Sequence, residues 1–119
     1  MKVIGMESFC LLMGHLIGDY IFQVDAIASR KTTSSAICAL HCFLYSLAIW
    51  IMNEWWIPMW AVVVVGLLHF PVDRWRLARR YMSIVGQDQF VTGPLAPWSV
   101  VLVDNVFHLF VLAIVGRMI

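Results

Sequence analysis

Four long apolar stretches alternate with shorter polar ones along this chain. They cover about Val3–Gln23, Ala36–Met52, Ile57–Val72 and Trp98–Val115. Each approaches the roughly 20 residues that an α-helix needs to cross a bilayer. A helical continuation of the third stretch through Arg80 also fits its pattern. The runs lack the dyad alternation of a membrane-barrel strand, so helices are predicted and strands are not. Between them lie Asp25–Ser35, a tight turn at Asn53–Trp56, and Tyr81–Pro97. In the last of these, Gly86, Gly93, Pro94 and Pro97 predict a segment that punctuates rather than continues a helix. The expected fold is all-α: one domain over residues 1–119, built as a four-helix transmembrane bundle.

Composition supports a membrane setting. The chain is 62% hydrophobic and 13% charged, whereas soluble domains lie near about 45–50% and about 25%. So apolar a chain cannot stay solvated and disordered. Eight basic residues against seven acidic ones remove the electrostatic footprint of a nucleic-acid binder. Three cysteines without a CxxC give neither a disulfide framework nor a zinc-finger pattern. The first stretch resembles a signal peptide only superficially. Lys2 is its sole basic leader residue, Glu7, His15 and Asp19 interrupt it, and no small-residue cleavage site follows. It is expected to be a retained span.

Basic residues predict the orientation. Arg30, Lys31, Arg74, Arg76, Arg79 and Arg80 follow the first and third stretches, which puts them on one side of the membrane. Lys2 and Arg117 fall on the other. The positive-inside rule makes the richer side cytoplasmic and leaves both termini outside. Trp55, Trp56 and Trp60 are then expected at the outer interface, with Trp75 and Trp98 nearer the inner one.

Ionisable residues inside such spans need a reason, since each costs about 2.5–3.5 kcal/mol centrally on insertion scales. The pattern is His15-x-x-x-Asp19 on the first span and His41 on the second. The third carries His69-x-x-x-Asp73 and the fourth Asp104-x-x-x-His108. Residues four apart share a helix face. The motif reverses on the fourth span, which runs against the first and third. All three pairs therefore keep histidine deeper and aspartate nearer the cytoplasm. His41 falls near the histidine level. A histidine layer with an aspartate layer about one turn (~5.4 Å) below it is predicted.

Imidazole and carboxylate together are ligands for zinc, manganese or iron, and helix bundles build metal centres from facing side chains. The expected metal residues are His15, Asp19, His41, His69, Asp73, Asp104 and His108, enough for one ion with supporting groups or for two ions. His15, His69 and His108 lead as ligands, with His41 fourth. The same residues also fit a metal-free proton or ion relay, or polar packing between helices.

His15-Leu-Ile-Gly-Asp19-Tyr-Ile-Phe-Gln23, followed by Arg30-Lys31, resembles the opening of a family of small membrane proteins from bacteria and their phages, domain of unknown function 3307. The resemblance continues through His41, His69-Phe-Pro-Val-Asp73-Arg-Trp-Arg and Asp104-Asn-Val-Phe-His108, and covers essentially the whole chain. Asn105 stands where that family usually has glutamine. The resemblance implies a multi-pass protein of the bacterial inner membrane, with no established reaction. A looser likeness points to membrane-bound metal-dependent hydrolases.

Other features add less. Pro71 is expected to kink its helix beside the site. Gln23 fits a supporting role or an interfacial amide equally. Arg76 and Arg80 continue the His69/Asp73 face and suit an anionic headgroup, although topology alone explains them too. Cys38 and Cys42 are expected as apolar filler, pointing away from His41. Gly14-x-x-x-Gly18 fits close helix packing. Three functions follow: a metal-dependent hydrolase acting on a lipid or lipid-linked substrate, an ion-transport subunit, or a protein that modulates another membrane protein. Membrane lipids are expected partners, together with a homo-oligomer or membrane-protein partner, and nucleic acid is not.

Overall fold

The computed structural model describes residues 4–119, so Lys2 and the expected first-span start at Val3 lie outside the described residues. Those residues are helical, with no strand among them. Helix α1 (Ile4–Leu16) passes directly into a π-helical turn (Ile17–Ile21), closed by a Phe22 N–H to Ile17 C=O bond of 2.9 Å. A short α2 (Asp25–Ala28) leads to α3 (Ser35–Asn53), whose first turn is capped by the Ser34 side chain accepting from the Ile37 N–H. Then come α4 (Met59–Arg74), α5 (Leu77–Ile84), α6 (Asp88–Thr92) and α7 (Trp98–Met118).

The four long helices pack in a ring: α1 on α3, α3 on α4, α4 on α7, and α7 on α1. Their apolar core gathers Tyr45, Ile49, Val62, Val65, Leu112 and Val115. Helices α3 and α7 are long and apolar enough to cross a membrane, yet only 33% and 22% of their apolar windows are buried. Core packing therefore does not account for their composition. Phe9, Phe43, Leu67, Leu102 and Phe110, spread over all four helices, are each more than half exposed.

The Gly14-x-x-x-Gly18 pair lies where α1 and its π turn cross α3. A β-carbon at Gly14 would stand 3.0 Å from the Ile49 Cα, and one at Gly18 would stand 3.0 Å from the Tyr45 Cα and 2.7 Å from its ring. Backbone cannot yield as a flexible side-chain end can. Gly18→Ala is expected to destabilise the protein by about 1–3 kcal/mol through overpacking, read as a lower unfolding midpoint in detergent. At the far end of α3, buried Asn53 donates to the Cys10 and Ile49 carbonyls at 3.1 and 2.8 Å and accepts from the Trp56 indole at 3.0 Å. Every polar atom of that amide is used, so the turn after α3 is tied to α1.

Two expectations change. The third stretch does not run straight on through Arg80: Arg76 takes a left-handed conformation (φ 51°, ψ 51°) that ends α4 and starts α5. The Tyr81–Pro97 segment also holds helix, namely the end of α5 and all of α6. Its cause is amphipathicity. Ala78 and Met82, four apart, are buried, while Arg79, Arg80 and Ile84 point outward, and α5 lies on α7. Pro71 sits within α4, which stays helical through it; its missing N–H leaves the Leu67 carbonyl without its usual helical partner.

Candidate metal centre

Each i,i+4 pair is in contact at its tips. His15 Nδ1 lies 3.6 Å from Asp19 Oδ2, His69 Nε2 lies 3.0 Å from Asp73 Oδ2, and His108 Nε2 lies 3.2 Å from Asp104 Oδ2. The ring of helices then brings the pairs together. All four histidines, Asp19 and Asp73 are buried, whereas Asp104 is partly exposed. Asp19 rides on the π turn, a wider coil that often marks functional positions in helices.

The tightest convergence involves four residues. His41 Nε2 and His69 Nε2 are 2.9 Å apart and stand 2.9 and 3.0 Å from Asp73 Oδ2. Asp19 Oδ1 caps this triangle at 3.2 and 3.3 Å from the two nitrogens. Asp19, Asp104 and His108 form a second group whose ligand atoms also lie within 4.8 Å of one another. His108 Nε2 is 3.1 Å from Asp73 Oδ1, so Asp73 touches both groups. The histidine and aspartate levels, a turn apart along each helix, thus meet at their side-chain ends.

His15 takes a different place. Its Nδ1 is 2.8 Å from the Tyr45 hydroxyl and its Nε2 is 2.7 Å from Asn105 Oδ1. Both ring nitrogens are engaged, and His15 belongs to neither convergent group. Asn105 in turn donates to the Tyr20 hydroxyl. Position 105 therefore links α7 to α1 and its π turn through an amide.

Tyr45 and Lys31 are participants that the His/Asp spacing does not disclose. The Tyr45 ring and the His108 ring each stack on His69, with centroids 3.9 Å away. This fixes the plane of the His69 ring. Lys31 reaches in from the turn before α3 and donates to Asp73 Oδ2 at 2.9 Å. Burial alone would lower the pKa of its ammonium, but the facing Asp73 carboxylate, helped by Asp19 and Asp104, raises it above its ordinary value. Lys31 therefore stays charged. Arg74 and Arg76 secure the same turn through Thr32 and Ser35. Gln23 has a buried carbonyl oxygen without a hydrogen-bond partner and forms no hydrogen bond with the cluster. Cys38 and Cys42 are buried free thiols, and Cys38 donates to the Phe70 carbonyl instead of joining the site.

The donor set suits a divalent ion. A tetrahedral ion bonded at about 2.0–2.1 Å needs donors about 3.3 Å apart, and octahedral neighbours at similar bond lengths need about 3.0 Å. The observed spacings of 2.9–3.3 Å cover that range. Two imidazoles with two carboxylates suit zinc, manganese or iron.

No curated protein and no solved structure matches this chain. A family model does, over residues 8–119, which takes in every ionisable residue of the cluster. The chain belongs to the family described as protein of unknown function DUF3307.

Proposed function

We propose that this protein is a membrane-embedded, metal-dependent hydrolase that acts on a lipid or lipid-linked substrate. The observation that carries the metal is the triangle of His41 Nε2, His69 Nε2 and Asp73 Oδ2, with edges of 2.9, 2.9 and 3.0 Å. Neutral imidazoles carry one N–H each. If both protons sit on Nε2, two N–H groups oppose each other along the histidine–histidine edge. If one Nε2 is bare, its lone pair faces the carboxylate oxygen. With Asp73 ionised, no placement of protons on two neutral imidazoles satisfies all three edges, whereas a cation among them attracts all three atoms. A polar-packing role would not require that conflict.

Four membrane spans follow the same reading. Besides α3 and α7, the α1–π run covers 4–21 and α4 covers 16 residues. The apolar side chains exposed around the ring face the direction that lipid would occupy. The molecule's longest dimension, 46 Å, is that of a bilayer with its headgroups, about 40–45 Å. With the arginines of α4 and α5 and Lys31 at one end, the positive-inside rule places that end in the cytoplasm and the termini outside. A bacterial inner membrane is the matching location.

A divalent ion lowers the pKa of a bound water and polarises a phosphoryl or carbonyl oxygen. The chain's own residues divide the remaining work. Asp19, His41, His69 and Asp73 hold the ion. Asp104, 28% exposed and 3.2 Å from His108 Nε2, is positioned to accept a proton from water, and His108 keeps the carboxylate oriented. The test uses metal-loaded protein in mixed micelles with an acyl ester lipid, a phosphodiester lipid and a lipid phosphomonoester. Hydrolysis of one of them is expected, abolished by chelation, restored by the metal, and lowered about 10²–10⁴-fold by Asp104→Asn with metal content retained. Fully loaded protein that turns over none of the three would contradict the hydrolase assignment.

A further inference from the structure

A cleft of about 410 Å³ opens beside the centre. Its lining divides by chemistry. Asp73 and Asp104 mark its inner wall, Lys31, Arg76 and Arg79 supply positive charge, and Val72, Val91, Val100 and Val101 are among its apolar members. We infer that this cleft is the substrate's anion subsite, and that the group it receives is a phosphate. The inference rests on the hydrolase reading and names its substrate class.

Charge accounting supports an anion. Lys31 is matched by Asp73 at 2.9 Å, and Asp104 by His108 at 3.2 Å. Arg76 donates to Thr32 through one guanidinium nitrogen. Arg79 is exposed and appears in no hydrogen bond or ion pair of the described residues. Two guanidinium groups thus face the cleft without a carboxylate partner, and a divalent ion behind them would add further positive charge. Guanidinium forks match the oxygens of phosphate in paired hydrogen bonds. The left-handed backbone of Arg76 matters here, because it turns the chain from α4 into α5 and brings residues 76 and 79 to the same cleft. Straight helical continuation would instead have aligned Arg76 and Arg80 with His69. Arg76 and Arg79 also border a neighbouring cavity with Arg80, but of these three only Arg76 and Arg79 reach the cleft that holds the two aspartates. The apolar wall gives a lipid-linked ligand a place for its first non-polar atoms, and the cleft volume lies in the usual range of small-ligand sites, about 300–1,000 Å³.

The experiment titrates metal-loaded full-length protein in neutral detergent, by calorimetry, with inorganic phosphate and with micelles containing phosphatidic acid or phosphatidylcholine. Metal content is measured on every sample. Binding of inorganic phosphate, phosphatidic acid or both is expected, weakened at least about tenfold by Arg76→Gln/Arg79→Gln and unaffected by Arg30→Gln. Arg76→Gln/Arg79→Lys should retain part of the binding that Arg76→Gln/Arg79→Gln loses. Binding of both probes identifies phosphate itself as the recognised group; phosphatidic acid alone identifies a membrane source, and inorganic phosphate alone a soluble one. Each supports the subsite. Metal-loaded protein that binds neither, or whose binding survives the double substitution, overturns the subsite and leaves the metal centre standing. Protein that holds no metal and binds neither removes both.

Discussion

His69→Ala and His41→Ala should each reduce bound divalent metal from near one equivalent to background, while His15→Ala should leave most of it in place. The two ligand histidines offer Nε2 atoms 2.9 Å apart, each also within 3.3 Å of both Asp19 and Asp73. Removing either takes away one of the four donors that converge there. His15 instead spends its nitrogens on Tyr45 and Asn105. Its loss should loosen Tyr45, and with it the ring stacked on His69, lowering affinity by about 10–100-fold as for other groups that orient ligands. Elemental analysis after gel filtration measures both effects. Equal loss in all three variants would put His15 among the ligands after all.

The largest expected effect on stability belongs to Asp73. Its carboxylate lies within 3.1 Å of Lys31, His41, His69 and His108, and it is almost wholly buried. Asp73→Asn keeps the shape but removes the charge that all four face. Breaking a buried pair by removing one partner costs about 3–5 kcal/mol, because the other charge is left uncompensated. The variant should lose its metal and unfold well below wild type. Lys31→Met in the same background should recover part of the stability by removing the stranded ammonium, without returning the metal. No recovery would mean that Lys31 is stabilised by something other than Asp73.

Much of this centre was legible from spacing alone. Four-residue intervals put His15 beside Asp19, His69 beside Asp73 and Asp104 beside His108, and the reversed order on the fourth stretch placed the three pairs at one level. Such relations are local to a helix, so a sequence carries them. Contacts between helices are not local. Tyr45 reads as one more aromatic residue of α3 until packing turns it toward His15 and His69. Lys31 reads as one more basic loop residue until the turn before α3 folds against the end of α4. The ranking of the histidines needed the same information: His15 shares a motif with the others, and only the positions of Asn105 and Tyr45 draw it aside.

The fold shows a similar division. The apolar stretches located the long helices to within a few residues, with α3 at Ser35–Asn53 and α7 at Trp98–Met118. The π turn at Asp19 escaped notice because the same residues would also make an ordinary helix. Arg76 carries no turn signal, since a left-handed backbone is commonest at glycine or asparagine. Gly86, Gly93, Pro94 and Pro97 mask the helices within residues 77–92, because they break the chain between and after α5 and α6 without excluding helix elsewhere in it. Their amphipathic spacing, with Ala78 and Met82 on one side, was present in the sequence.

A divalent metal held by the buried His/Asp cluster underlies every role proposed for this site. Elemental analysis of the wild-type protein, purified in mild detergent without chelators or metal-affinity resin, tests it most directly. Close to one equivalent of zinc, manganese or iron per chain is expected, or, in protein stripped of metal, a raised unfolding midpoint on adding one of these ions. Protein that purifies without metal and is not stabilised by zinc, manganese, iron, nickel or copper would contradict it.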